Sequence, residues 1–329
     1  MSLGATSTTA PVPLRRRIKR FMSDRPLVPL LILLVLLVLV LQILRPGIIN
    51  ERWIANTIKF AIPLALLAGC QTMTMLTGGI DLSVGTVATM SAFIMATQVI
   101  NHDPAVAILI CMIPAVLIGL ANGIGVGVFR VHPLIMTLGT SLIGIGCLQV
   151  YQRTVIATGT KVPDFLGWLG TGLTYGVPNA LLLFLPVAAL IIFTLRRTGF
   201  GRLLYAVGDN EKAARLSGVV YWKVIIALYI ISSVLAGIVG LLYVGLIKAP
   251  SLSLVEPLVL PSVAAAVIGG TSIFGGRGGY TGTILGALIL TVLTTLLTVL
   301  QMPEGARRIL FGLIILLVTA AYLRIIEDR

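Results

Sequence analysis

Residues 27–44 read LVPLLILLVLLVLVLQIL, without one acidic, basic or histidine side chain. A run this apolar cannot face water along its length, whereas a helix of roughly 20 such residues crosses the hydrocarbon core of a bilayer. The pattern recurs down the chain. Ten segments qualify: 27–44, 60–77, 82–100, 104–129, 133–151, 178–195, 224–247, 257–274, 280–301 and 308–323. Segment 257–274 is the weakest, because Pro257, Pro261, Gly269 and Gly270 interrupt it, and a broken helix at membrane depth is tolerated only when packed inside protein. Charged residues make up 11% of the chain, against roughly 25% in soluble domains. The expected fold is an all-α polytopic membrane protein. A soluble enzyme, a disordered chain, a collagen-like chain and a disulfide-stapled secreted module are excluded. The first run is read as a retained anchor, since Gln42-Ile43-Leu44-Arg45 offers no small-residue cleavage site.

Charge orients the spans. With the N-terminus in the cytoplasm, two-thirds of the 24 Lys and Arg residues fall on cytoplasmic segments, as the positive-inside rule requires. The chief contributors are the tail around Arg15, Arg16, Arg17, Lys19 and Arg20 and the connection 196–223. Dropping one span would put these two basic clusters on opposite sides, so the consistent reading is N-in, C-in with ten spans. Basic residues placed this way report topology, and nucleic acid is not an expected partner. Residues 1–26 read as a basic cytoplasmic tail without order, and 27–325 as the transmembrane domain.

The spans hold few groups that could drive transport. Asp81, Glu256 and Arg277 sit at Gly/Pro-rich breaks, and the other span interiors lack the buried carboxylates and histidines that usually couple ions to substrate. Sodium held by carbonyls stays open, so an ion-gradient-driven secondary transporter of a small polar solute is the alternative. No G-x-x-x-x-G-K-[ST] phosphate loop occurs, so this chain carries no nucleotide or other cofactor of its own; ATP and Mg would sit on a separate ATPase. Cys70, Cys111 and Cys147 lie in apolar runs, and His102 and His132 stand alone; neither pattern is a metal site.

The connection 196–223 is the candidate contact for such an ATPase. Asp209 or Asn210 can cap a short helix and Gly218 can stop it. Glu211, Lys212 and Arg215 then share one side, while Ala213, Ala214, Leu216 and Ser217 share the other. Eight residues are too few to hold a helix alone. The small side is therefore expected to dock into a groove on a cytoplasmic partner.

Three blocks resemble one family. Thr77-Gly78-Gly79-Ile80-Asp81-Leu82-Ser83-Val84-Gly85 resembles the TGGIDLSVG signature of sugar ABC importer permeases of the ribose/xylose/arabinose/galactose type. Gly208-Asp209-Asn210-Glu211-Lys212-Ala213-Ala214-Arg215-Leu216-Ser217-Gly218 is similar to that family's coupling segment, and Gly269-Gly270-Thr271-Ser272 with Gly275-Gly276-Arg277-Gly278 to its further glycine-rich block. Order and spacing agree over roughly residues 30–325. Asp209 stands where many relatives have a second glycine. The resemblance implies a type II ABC-importer-like permease in the bacterial inner membrane. It also implies an ABC ATPase, an extracytoplasmic sugar-binding protein and a second permease subunit as partners. Asn210, Glu211, Ala213, Ala214, Arg215, Leu216 and Gly218 would then form the ATPase-coupling element.

Asp81 has two readings: a cap for the third helix, with Gly78 and Gly79 allowing the turn, or a gate paired with a cytoplasmic base, for which Arg277 is nearest in the topology. Ser83 and Gly85 belong to the same turn, and Gly269, Gly270, Gly275, Gly276 and Arg277 form the other glycine break. Gln71, Thr72, Asn122 and Gln149 are polar groups inside apolar runs. Each either bonds helix to helix or lines a sugar path. The glycines of 122–127 are expected to permit close helix packing, and the outer connection 152–177 to be a solvated loop anchored by Trp168 and Tyr175.

Overall fold

The computed structural model describes residues 27–155, 159–310, 312, 313 and 316. The basic tail 1–26 and most of segment 308–323 lie outside them. Among the described residues the regular structure is helical apart from one small hairpin. In order run α1 (Leu27–Leu44), α2 (Glu51–Met75), α3 (Val84–Gln98), α4 (Pro104–Gly127), α5 (Pro133–Val155) and α6 (Asp164–Thr171). The hairpin β1 (Leu173–Thr174) and β2 (Val177–Pro178) comes next. Then follow α7 (Leu181–Arg197), α8 (Gly199–Asp209), α9 (Glu211–Leu216), α10 (Tyr221–Ile247), α11 (Glu256–Ile268) and α12 (Tyr280–Val299).

Among the described residues, α1, α2, α4, α5, α10 and α12 are long and apolar enough to cross a bilayer, and α7 with α8 form a pair bent by 65°. Three expected spans therefore differ from straight crossings. α3 has 15 residues and α11 has 13; at 1.5 Å per residue these reach only ~22 and ~20 Å of the ~30 Å hydrocarbon core. The cause lies in the flanking sequence. Gly78 has φ +78° and Gly270 φ +88°, conformations that cost glycine nothing and other residues dearly, so a turn stands where each helix would otherwise continue. The outer connection is not a plain loop either, since α6 and the hairpin occupy it.

α2 and α10 form the centre. α10 packs on α4, α3, α6 and α2, and α2 also on α12 and α11. Small residues set the closest approach: a Cβ at Gly123 of α4 would lie 2.6 Å from the Ile226 Cα of α10, and at Gly127 3.2 Å from the Trp222 carbonyl oxygen. The expected close packing of this glycine run is what the structure has. The Tyr280 ring lies over Gly69, and its hydroxyl donates to the Ala65 carbonyl at 3.0 Å. Such a bond satisfies the polar tip of an otherwise apolar contact.

A glycine junction and a buried acid turn

The three glycine-rich blocks, far apart in sequence, meet at one point. The Gly276 N–H donates to the Leu76 carbonyl at 3.0 Å, capping the end of α2 with the break that precedes α12. Gly208, near the end of α8, fits between them: a Cβ there would overlap the Leu76 oxygen and lie 2.6 Å from the Gly276 nitrogen. Gly275, at φ +91°, abuts the Gly208 oxygen and the Gly78 nitrogen, and Gly276, at φ +69°, lies against Asp209. Backbone thus touches backbone with no side chain between, and a movement of α8 has no soft layer to absorb it. Outside the junction, the Tyr205 hydroxyl donates to the Gly278 carbonyl at 2.9 Å and Arg196 to the Thr281 hydroxyl at 3.2 Å. Burial raises the Tyr205 phenol, with Arg196 pulling the other way; it stays a neutral donor.

Asp81 is fully buried in the turn before α3. Its Oδ1 accepts from the Ser83 N–H at 2.9 Å and from the Ser83 hydroxyl at 2.6 Å, and the Ser232 hydroxyl of α10 donates to Oδ2 at 3.5 Å. Hydrogen bonds of this kind are what a buried carboxylate requires. The pairing with Arg277 is not made: among the described residues Asp81 has no ion pair, and Arg277 is exposed. The neighbouring serine turns the carboxylate inward, away from the surface where Arg277 sits.

Of the polar residues considered for a sugar path, Gln71 and Asn122 hold this turn and Thr72 bonds helix to helix. Gln71 clamps the Asp81 backbone from both sides, Nε2 donating to its carbonyl at 2.7 Å and Oε1 accepting its N–H at 3.2 Å. Asn122 donates to the Ser83 hydroxyl at 2.9 Å and accepts from Thr140 at 2.7 Å. The Thr72 and Thr283 hydroxyls are 2.7 Å apart, joining α2 to α12. All three are buried, and Gln149 is exposed on α5. None of the four lines either of the two clefts beside α11. Irregular backbone at membrane depth needs internal partners, and these side chains supply them.

The predicted short helix is α9. The Asn210 Oδ1 accepts from the Ala213 N–H at 3.0 Å, and Gly218, at φ +87°, ends it with its N–H donating to the Arg215 carbonyl. Ala214 is buried against its own chain, whereas Ala213 and Ser217 are exposed and Leu216 is 91% exposed. The small side is therefore split, with Ala214 spent internally and Leu216 presented outward. Sequence reasoning missed what holds α9 in place. Arg130, at φ +62° in the short α4–α5 connection, pairs with Glu211 at 2.7 Å and lies 3.7 Å over the Tyr221 ring. Arg215 also reaches Glu211, at 2.6 Å. From Arg130 the connection runs to Pro133, which packs on Gly79, and to Thr137. The Thr137 hydroxyl accepts the Leu82 N–H at 3.1 Å and donates to the Ile80 carbonyl at 3.3 Å. The available signal is a lone base, Arg130, between two apolar runs.

Residues 53–319 match the family described as branched-chain amino acid transport system, permease component. The chain belongs to this permease family. It is a multi-pass permease subunit of ABC-type importers of the bacterial inner membrane and not an enzyme. The permease is 32% identical over 278 residues to the ribose import permease of Bacillus subtilis, covering 84% of this chain and 86% of that one. It is 33% identical over 277 residues to the Escherichia coli K12 ribose import permease, covering 83% and 86%. To the fructose import permease of Rhizobium meliloti it is 32% identical over 269 residues, covering 78% and 74%. No solved structure matches the permease.

Proposed function

We propose that this permease forms the membrane pathway of an ABC importer for a monosaccharide or a related small polyol. A separate ATPase docks on 196–223, an extracytoplasmic binding protein delivers the sugar, and a second permease subunit, identical or related, completes the pathway. The spans run N-in, C-in, ten in number. The observation that carries the reading is the glycine junction: the segment with exposed Leu216 at one end has, at Gly208, a rigid backbone contact with the ends of α2 and the α11–α12 break. A push delivered to α9 reaches the end of α2 and the break that follows the short α11. The relatives named for ribose and fructose support a sugar over an amino acid as cargo.

The test is uptake of labelled D-ribose, D-fructose and L-leucine by cells with and without the gene. Loss of a sugar and not of leucine is expected. Loss of leucine uptake alone would replace the sugar reading with an amino-acid one.

A further inference from the structure

Two clefts open near the half-length α11, and their chemistry differs. One, of about 420 Å³, is lined by Thr291, Thr294, Thr295 and Thr298 of α12. Each of these hydroxyls donates to the carbonyl four residues earlier in its own helix, so the threonine row itself offers a solute only acceptors; Trp53, whose buried indole N–H has no partner among the described residues, also lines this cleft. The other, of about 500 Å³, lies between α3, α5 and α11. Its lining includes Thr86, Ser141, Glu256, Glu304 and Arg308.

In this second cleft the Thr86 and Ser141 hydroxyls are 2.6 Å apart. Only one of the two can donate to the other, which leaves one hydroxyl hydrogen and several lone pairs uncommitted. The Glu256 carboxylate is exposed and has no hydrogen-bond or ion-pair partner among the described residues. Depth matters here. Ser141 lies eight residues inside the 23-residue α5, ~12 Å along its axis, well within a hydrocarbon core of ~30 Å. The irregular residues Leu252 and Ser253 also line the cleft. The size falls within the ~300–1,000 Å³ of small-molecule sites.

We infer that the solute crosses along this α3–α5–α11 cleft, with the Thr86–Ser141 pair and Glu256 as the groups that meet its hydroxyls. The inference rests on the permease reading above and adds the wall of the path. It replaces Gln71, Thr72, Asn122 and Gln149, which lie elsewhere. A neutral polyol fits this lining: the hydroxyls both give and accept, Glu256 accepts, and the other two charges, Glu304 and Arg308, are paired with each other.

The experiment uses the full permease with Cys70, Cys111 and Cys147 replaced by alanine, expressed with its ATPase and binding protein. Cysteine is placed at Ser141, Glu256 or Gln149 and treated with anionic 2-sulfonatoethyl methanethiosulfonate, which needs a hydrated thiolate. Ser141→Cys and Glu256→Cys should react at least tenfold faster than Gln149→Cys and then lose D-ribose uptake at least tenfold. Absence of modification at both cleft positions would overturn the inference, as would modification that leaves uptake intact. Glu256, at the exposed end, keeps the test decisive if Ser141→Cys does not fold. Labelling does not depend on the cargo, so a parent chain that labels in the cleft yet imports no sugar would sink the sugar reading while upholding the hydrated path.

Discussion

Replacing Gly208 by alanine tests whether the glycine junction is as tight as its geometry. The added Cβ would lie 2.6 Å from the Gly276 nitrogen and 2.9 Å from the Leu76 carbonyl carbon, and would overlap the Leu76 oxygen. All three obstacles are backbone, so no rotamer change relieves the clash. The junction must open, and the 3.0 Å Gly276-to-Leu76 hydrogen bond opens with it. Overpacking costs about 1–3 kcal/mol and the lost bond about 0.5–1.5 kcal/mol, for a total of roughly 1.5–4.5 kcal/mol. Gly199→Ala is the matched control, because its Cβ would meet only the far end of Arg202 at 3.8 Å. Thermal unfolding of the detergent-solubilised permease, followed by size-exclusion fluorescence, should show a lowered midpoint for Gly208→Ala and none for Gly199→Ala. Sugar uptake per copy should fall in the same order. Wild-type stability and uptake for Gly208→Ala would refute the claim that α8 bears on α2 through backbone contact.

Leu216→Ala removes the exposed apolar side chain of α9; if a partner buries it, ~1.5–3 kcal/mol is lost. ATPase co-purification should weaken by roughly ten- to a hundredfold, while Lys212→Ala changes little. Arg130→Gln keeps α9 capped by Asn210 but removes the Glu211 pair and the cation over Tyr221. ATPase binding should persist while sugar uptake per ATP hydrolysed falls, measured side by side in proteoliposomes. Gln71→Leu strands the Asp81 N–H and carbonyl in the interior, at about 1–3 kcal/mol each. A thermal midpoint unchanged from wild type would show that the clamp is not needed.

The membrane class and most span positions were legible because an uncharged apolar run is a local property. The three blocks were legible as motifs for the same reason, and the Asn210 cap and Gly218 stop followed from side-chain chemistry within four residues. What was not legible depends on which distant segments meet. Gln71 looked like a path-lining group because periodicity cannot say that its partner is the backbone of Asp81 ten residues on, folded back by Gly78. Arg277 looked like a counter-charge because both glycine breaks share a side in the topology; the hydroxyl of Ser83, two residues from Asp81, took the carboxylate first. Ala214 looked free to dock because its neighbours are small, yet it is buried in the protein's own apolar core. Thr86 and Ser141 gave no signal at all, since a single hydroxyl in an apolar helix is ordinary until a second one faces it across a cleft.

The central claim is that this chain moves solute only when a partner hydrolyses ATP. Proteoliposomes containing the permease, its ATPase and external binding protein should accumulate labelled D-ribose above the outside concentration when ATP and Mg are enclosed. Without ATP they should not, whatever sodium or proton gradient is imposed. Uphill uptake driven by an ion gradient alone, in liposomes holding only this chain, would contradict the account.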